Sequence, residues 1–382
     1  MPRNPTSPSQ SPRRTGARVR NLMGATAVAA APEIVLDPRP AFDFLLSIVG
    51  EPDAELLPAD RDWLQASRAS LSDGLKRDLA LTFAHDERSK GYGAALIERV
   101  AQDPTVRTSA DVVTMVGRLE AVDLVSAGCD EDDAAQQDAI ELSKRVLTGE
   151  RGLLEQAVAA WPGDTRMLAE PLLRDPDGYV RALRRVVRAW RERFEPIEAR
   201  IARFEERDVA ARRVALGQLS QSDFVEQTTD GIRWVPEPRM RRVILAPAYF
   251  CRPYNWVFGG RDWHLFCYPI SDAALDLDRD AVPTMMVRLY RALGDDSRLR
   301  ILRYLADGDL YLTEVAERMG LSKPTVSHHL ALLRASGLVS TTEAGGLKYY
   351  SLRRDRLSGL GPDLARYLGP DLARVGAGTP AD

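Results

Sequence analysis

Residues 311–352, YLTEVAERMGLSKPTVSHHLALLRASGLVSTTEAGGLKYYSL, constrain this chain more than any other stretch, because they spell helix, turn, helix and ribbon in a fixed order. The first helix is expected to begin near Thr313 and to carry Val315, Ala316 and Met319 on its apolar face. Gly320 ends it, since glycine alone enters the left-handed region at a helix end without strain. Ser322 is a strong N-cap type, and Pro324 falls in the first turn of the next helix, where its missing N–H costs nothing. On that second helix Val326, Leu330 and Leu333 stand at i, i+4 and i+7, one stripe facing a core. Pro324, Ser327, His328 and Ala331 point the other way, with Lys323 and Thr325 on the flanks. Gly337 closes the helix. Residues 338–342 and 347–352 are then expected to pair around Gly345-Gly346, with Lys348, Arg353 and Arg354 supplying positive charge.

Short polar side chains at the N-terminal end of a helix's outer face suit the major groove of double-stranded DNA, which demands close approach and hydrogen-bonding groups. The expected contacts are Ser322, Lys323, Thr325, Ser327 and His328 to base edges and flanking phosphates. Lys348 and Arg353 are assigned to the backbone or minor groove. His329 flanks the core stripe and is read as structural. Adjacent helical positions diverge by about 100°, so His328 and His329 do not converge on one metal ion.

The stretch RALGDDSRLRILRYLADGDLYLTEVAERMGLSKPTVSHHLALLRASGLV resembles the winged-helix domain of ArsR-type repressors, over roughly residues 284–353. Ser-His-His-Leu ahead of Leu-Arg-Ala-Ser-Gly-Leu-Val carries most of the likeness. The resemblance implies a homodimer, with helices before and after the motif at the interface, and repression relieved when a signal is sensed. Metal-sensing members of the family carry Glu-Leu-Cys-Val-Cys-Asp-Leu on the first helix of the motif. Here Asp309, Leu310, Tyr311, Leu312, Thr313, Glu314 and Val315 stand there, so both thiolates are replaced. The family's other site draws on histidines after the wing, and no histidine follows His329. Zinc and softer metals want imidazole or thiolate, so neither a metal nor another cofactor is expected.

Charge divides the rest of the chain. The net charge is −3 over 382 residues, yet residues 1–32 hold five arginines and no acid, and residues 284–357 hold twelve Lys/Arg against eight Asp/Glu. Residues 33–283 are therefore strongly acidic, which fits a basic DNA reader joined to a body kept off phosphate. Cys129, Cys251 and Cys267 form no CxxC pair and no disulfide framework, so a reducing cytoplasm is expected. No apolar run approaches the ~18–20 residues that span a bilayer, and no membrane association is expected. Arg13-Arg14 before LMGATAVAAAPE faintly mimics a twin-arginine leader, but the apolar run is short. Residues 1–32 are read as a disordered basic tail, or as upstream sequence with Met23 the true start.

The expected class is mainly α with small β elements: a helical N-terminal module bearing a small antiparallel sheet, then a C-terminal winged helix-turn-helix. Residues 33–223 read as the helical module, a sensor or interaction unit. Its expected helices are Ala41–Val49, Arg61–Ser70, Asp73–Ala84, Gly93–Gln102, Ser109–Ala127, Asp133–Thr148 and Gly152–Trp161. A long amphipathic helix follows over 177–217, which Pro196 is expected to kink or split. Residues 224–270 read as a β segment with strands at Ile232–Val235, Arg241–Ala246 and Asp262–Tyr268. Gly259-Gly260 is the expected hairpin turn. Residues 271–283 form an acidic linker, 284–357 the DNA-binding domain, opening with a helix at Thr284–Leu293, and 358–382 a short helix and tail.

Aromatic residues crowd the segment 249–268. Tyr249, Tyr254, Trp256 and Trp263, with Trp190 of the long helix, are candidates to line a pocket for a planar or apolar organic ligand. The same residues suit a core that seats the sheet. Cys251 and Cys267 read as buried apolar side chains, with a thiol switch as the alternative. His264 and Cys267 project to opposite faces of a strand, against a shared ion. No Gly-rich phosphate loop, GxSxG elbow or HExxH motif is present, so no enzyme is expected. The function expected is that of a DNA-binding transcriptional regulator, a repressor answering to a small organic ligand. The alternatives are a module that docks a partner protein, or an enzyme tethered to DNA.

Overall fold

The computed structural model describes residues 31–50, 58–83, 91–125, 134–161, 163–252, 254–276, 282–344 and 347–369. The basic tail, Cys129, the Gly345-Gly346 turn and residues 370–382 lie outside them. The chain divides into two compact units, Ala30–Val287 and Arg288–Asp382.

The first unit opens with strand β1 (Glu33–Leu36) and helices α1 (Pro40–Val49), α2 (Pro58–Ala69), α3 (Asp73–Phe83) and α4 (Gly91–Gln102). Next come α5 (Ser109–Arg118), α6 (Ala121–Leu124), α7 (Ala134–Leu147), α8 (Leu154–Ala160) and α9 (Gly163–Arg174). The long α10 (Pro176–Arg213) and α11 (Gln221–Thr228) precede β2 (Arg242–Ala248), β3 (Trp256–Gly259) and β4 (Trp263–Pro269). The expected stretch Ser109–Ala127 is two helices, because Leu119 is extended and the Glu120–Asp123 capping box restarts the chain.

Helix α10 is the spine. Asp175 caps it by accepting from the Gly178 N–H, and Pro176 sits at its first turn. Tyr179, Leu183, Val186, Val187, Trp190, Phe194, Ile201 and Phe204 form its buried stripe. Pro196 lies on the exposed face and does not split the helix, which runs unbroken for 38 residues. An interior proline costs about 3 kcal/mol, and each large apolar side chain fully buried returns about 1.5–3, so the flanking stripe outweighs it.

The sheet corrects the expectation of an antiparallel one. Its order is β1-β2-β4-β3, with β1 parallel to β2 (Ile34 opposite Val243), β2 parallel to β4 (Leu245 opposite Phe266), and only β3 antiparallel to β4 (Val257 opposite Phe266). Parallel neighbours need long crossovers, and here the helical body itself connects β1 to β2. Both faces are buried with a two-residue period. Ile244, Ala246, Leu265 and Cys267 join the core around α1, α4 and α10. Val243, Leu245, Phe266 and Tyr268 pack with Phe224 and Val225 of α11 and with Trp234 and Met240. Residues Ile232–Val235, expected as a strand, form no strand, and the chain just before them is helical α11. The Gly259-Gly260 hairpin is present, with Gly260 N–H donating to the Trp263 carbonyl at 3.0 Å.

The second unit contains most of α12 (Thr284–Leu293), then α13 (Asp296–Asp307), β5 (Leu310–Tyr311), α14 (Leu312–Met319) and α15 (Lys323–Ala335). The ribbon β6 (Val339–Ala344) and β7 (Leu347–Leu352) and helix α16 (Arg354–Leu368) complete it. β6 and β7 are antiparallel, Ala344 opposite Leu347, and β5 adds a third strand on β7. Its core gathers Ile301, Leu305, Val315, Val326, Leu330, Leu333, Leu338 and Val339. The architecture is mainly α with small sheets, ending in a winged helix-turn-helix.

Candidate nucleic-acid interface

The turn between α14 and α15 is built as the residues dictate. Gly320 takes φ 66°, ψ 29°, and the Leu321 N–H returns to the Ala316 carbonyl at 3.2 Å, closing α14. The Ser322 hydroxyl accepts from the Thr325 N–H at 3.3 Å and lies 2.8 Å from the Thr325 hydroxyl. Gly337, at φ 72°, turns the chain out of α15 into β6.

Rotation of α15 is fixed by its buried side. Val326, Leu330 and Leu333 are fully buried, which leaves Lys323, Pro324, Thr325, Ser327 and His328 exposed together with Ser322 ahead of them. All five candidate contacts of this helix therefore share one solvent-facing, N-terminal surface with a single basic group and several short polar ones. Helix α15 carries no acid, so nothing on it opposes an approaching phosphate. On the ribbon Lys348 is exposed. Arg353 departs from the expectation. It is only 7% exposed, follows β7, and pairs with Asp355 at 3.0 Å at the start of α16. A guanidinium buried against its own helix is an anchor and not an outward contact.

His329 and Asp295 form a second feature of this unit. His329 is half-buried, with Nδ1 3.9 Å from Asp295 Oδ1. Asp295 is the N-cap of α13, accepting from the Arg298 N–H at 2.9 Å. That N–H, with the Arg298 guanidinium and His329 adding, holds the Asp295 carboxyl below its usual value.

In the first unit three of the five aromatic candidates are buried and two are half-buried. Trp190 is fully buried, donating from its indole to the Ser47 hydroxyl at 2.8 Å. Tyr249 and Trp263 are also buried, and Trp263 packs beside Gly260 at the hairpin. Tyr254 and Trp256 are half-buried. The structure thus places the set mainly in the core. Cys251 and Cys267 are both buried and form no disulfide, and burial pushes the Cys251 thiol well up.

Sequence reasoning missed a polar cluster at the C-terminal end of β2. Asp43 of α1 is fully buried and accepts from the Tyr249 and Phe250 N–H groups, both at 2.7 Å. Neither oxygen of the fully buried Glu205 meets a protein N–H or O–H; its neighbour is the Asp43 carboxyl. Burial and that neighbour push Glu205 far above an ordinary carboxyl, so it holds a proton and donates to Asp43. Asp60 of α2 binds the Tyr249 hydroxyl and the Arg252 guanidinium, the latter at 2.8 Å. The signal was a lone aspartate inside the apolar run PAFDFLLSIV.

A family model described as "Bacterial regulatory protein, arsR family" matches residues 295–341. The transcriptional repressor SdpR of Bacillus subtilis is 37% identical over 67 residues, 18% of this chain and 74% of that protein. The HTH-type transcriptional regulator KmtR of Mycobacterium tuberculosis is 34% identical over 87 residues, 23% of this chain and 67% of that one. Among solved structures, HlyU from Vibrio cholerae is 34% identical and covers 22% of this chain and 89% of its own, with a TM-score of 0.19. Through its C-terminal unit, this chain belongs to the ArsR family of bacterial regulatory proteins.

Proposed function

We propose that this protein is a cytoplasmic, homodimeric, sequence-specific DNA-binding repressor and not an enzyme. One observation carries the reading: Lys323, Thr325, Ser327 and His328 form an exposed polar stripe on the N-terminal half of a helix whose other face is core. In a twofold dimer two such helices stand one DNA turn apart, about 34 Å, and meet a near-palindromic operator. Ser322, Lys323, Thr325, Ser327 and His328 meet base edges and adjoining phosphates, and Lys348 meets the backbone. The relatives named above as transcriptional regulators support the assignment.

The proposal extends to the signal. A small organic ligand held by the N-terminal unit shifts the dimer between two DNA affinities, which requires unequal binding to the two states. Tyr254 and Trp256, half-buried where the other aromatic candidates are core, are its proposed contacts. Among the described residues no helix is long and apolar enough to cross a membrane.

The test is binding of the purified full-length protein to DNA upstream of its own gene, followed by a screen of planar organic compounds for release. Competitor-resistant binding that a compound relieves supports both parts. Specific binding that no compound relieves, with a protein co-purifying in fixed ratio, replaces the ligand by a partner.

A further inference from the structure

His329 is read from sequence as structural, yet its surroundings give it more to do. Its ring sits at the seam where α15 packs on α13, one residue from the exposed His328, whose ring centroid is 6.2 Å away. Nδ1 is buried and has no hydrogen-bond partner, while the Asp295 carboxylate stands 3.9 Å off. Among the described residues Asp295 is the only ion-pair partner of His329. Asp295 is already committed to α13: one oxygen accepts the Arg298 N–H, and the Arg298 guanidinium lies 3.8 Å from the other. Arg298 itself is turned away, donating to the Ala292 and Arg291 carbonyls at 2.8 Å each. The carboxylate therefore keeps capacity for a second, cationic donor on the side of α15. A neutral imidazole at 3.9 Å makes neither ion pair nor hydrogen bond. A protonated one closes by about 1 Å to a charge-assisted bond.

We infer that His329 is a positioning residue: on protonation it latches α15 to the capped start of α13, so that DNA binding takes up a proton. The inference rests on the DNA-binding reading above. Phosphates meeting the exposed stripe of α15 bring a strong negative potential within a residue of His329, and that potential favours the charged imidazole. Among the described residues, the cationic Arg298 from α13 and the titratable His328 from α15 itself face the pair. His328 also faces DNA, so its share of any proton uptake must be separated.

The experiment measures affinity of the full-length protein for its upstream DNA at pH 6, 7 and 8 and constant salt. The proteins are wild type, His328→Asn, His329→Asn, Asp295→Asn and the 295/329 double variant. Asparagine caps a helix as well as aspartate does, so Asp295→Asn removes the charge and keeps α13. Wild-type affinity is expected to fall severalfold per pH unit, with about tenfold as the bound for each histidine that takes up a proton. His328→Asn is expected to keep part of that slope. His329→Asn and Asp295→Asn are each expected to lose the same remainder, and the double variant no more than either. A slope unchanged in Asp295→Asn, or losses that add in the double variant, would overturn the latch while leaving DNA binding intact. Wild-type protein that binds no DNA at any pH would instead overturn the functional reading, and the latch with it. Melting curves for each variant confirm that altered slopes do not reflect unfolding.

Discussion

The fully buried Asp43–Glu205 pair is the most sharply defined chemistry at the residue scale. Burial raises both carboxyls, Asp43 to about 6 and Glu205 well beyond its ordinary value. A carboxyl raised on folding contributes stability that is fully present below its unfolded value and is lost as pH rises through the folded one. The N-terminal unit should therefore lose stability as pH rises from the ordinary carboxyl range, the Asp43 share being gone by about 6 and the Glu205 share continuing toward the point where Glu205 ionises. Glu205→Gln retains a donor for Asp43 and removes the ionisation. Its melting temperature, followed from pH 5 to 9, is expected to fall less steeply than wild type, and an identical profile would refute the shared proton. At the DNA-facing surface two kinds of substitution should differ. Ser327→Ala with His328→Ala is expected to relax sequence preference, at about 1–3 kcal/mol per lost base contact. Lys348→Ala should weaken all DNA alike and reduce the salt slope by about one. An unchanged salt slope for Lys348→Ala would remove the wing from the interface. Little of the residue-scale detail was legible in advance. Ser322, Gly320 and the α15 stripe were, because cap and period are local. Arg353, a basic residue just past a strand, gave no local sign that it is buried.

At the scale of elements, legibility follows the range of the forces involved. Helices α1 to α4, α7, α8 and α10 to within a few residues, the start of α5, α12, and both motif helices are written in caps and periodicity, which act over a single turn. Strand β1 is not legible, since Glu33–Leu36 is four residues long and its partner Arg242–Leu245 lies about two hundred positions away. The parallel register of β2 with β4 is hidden for a different reason: β3 lies between them in sequence and its turn suggests simple antiparallel neighbours. Helix α11 was masked by the aromatic, β-prone composition that follows it. Pro196 does not split α10: helix interiors tolerate proline when the buried face on either side is long enough. The spine makes its own prediction. Trp190→Ala leaves a cavity beneath α1 and removes the indole N–H that the Ser47 hydroxyl accepts, and is expected to cost about 3–5 kcal/mol. Urea unfolding of the N-terminal unit's transition checks it; a loss below about 1 kcal/mol would mean that α10 is not the organising core.

On the scale of the whole molecule, a family DNA-binding unit of under one hundred residues is joined to an acidic unit more than twice its size. The family match spans residues 295–341 and leaves the larger unit to be understood from its own structure, a helical body through which one long spine supports a mixed sheet. The fold of the smaller unit and its exposed stripe were legible from sequence because its motif is compact and local. The role of the larger one was not, because the aromatic residues that suggested a pocket are mostly core. Every functional role proposed for this protein depends on α15 reading DNA. Footprinting of the full-length protein on its own upstream region, with excess competitor DNA at physiological salt, tests that claim most directly. Protection of two half-sites one helical turn apart, lost in the Ser327→Ala, His328→Ala variant, is the expected result. Binding that competitor abolishes and salt erases would leave only phosphate attraction and contradict the account.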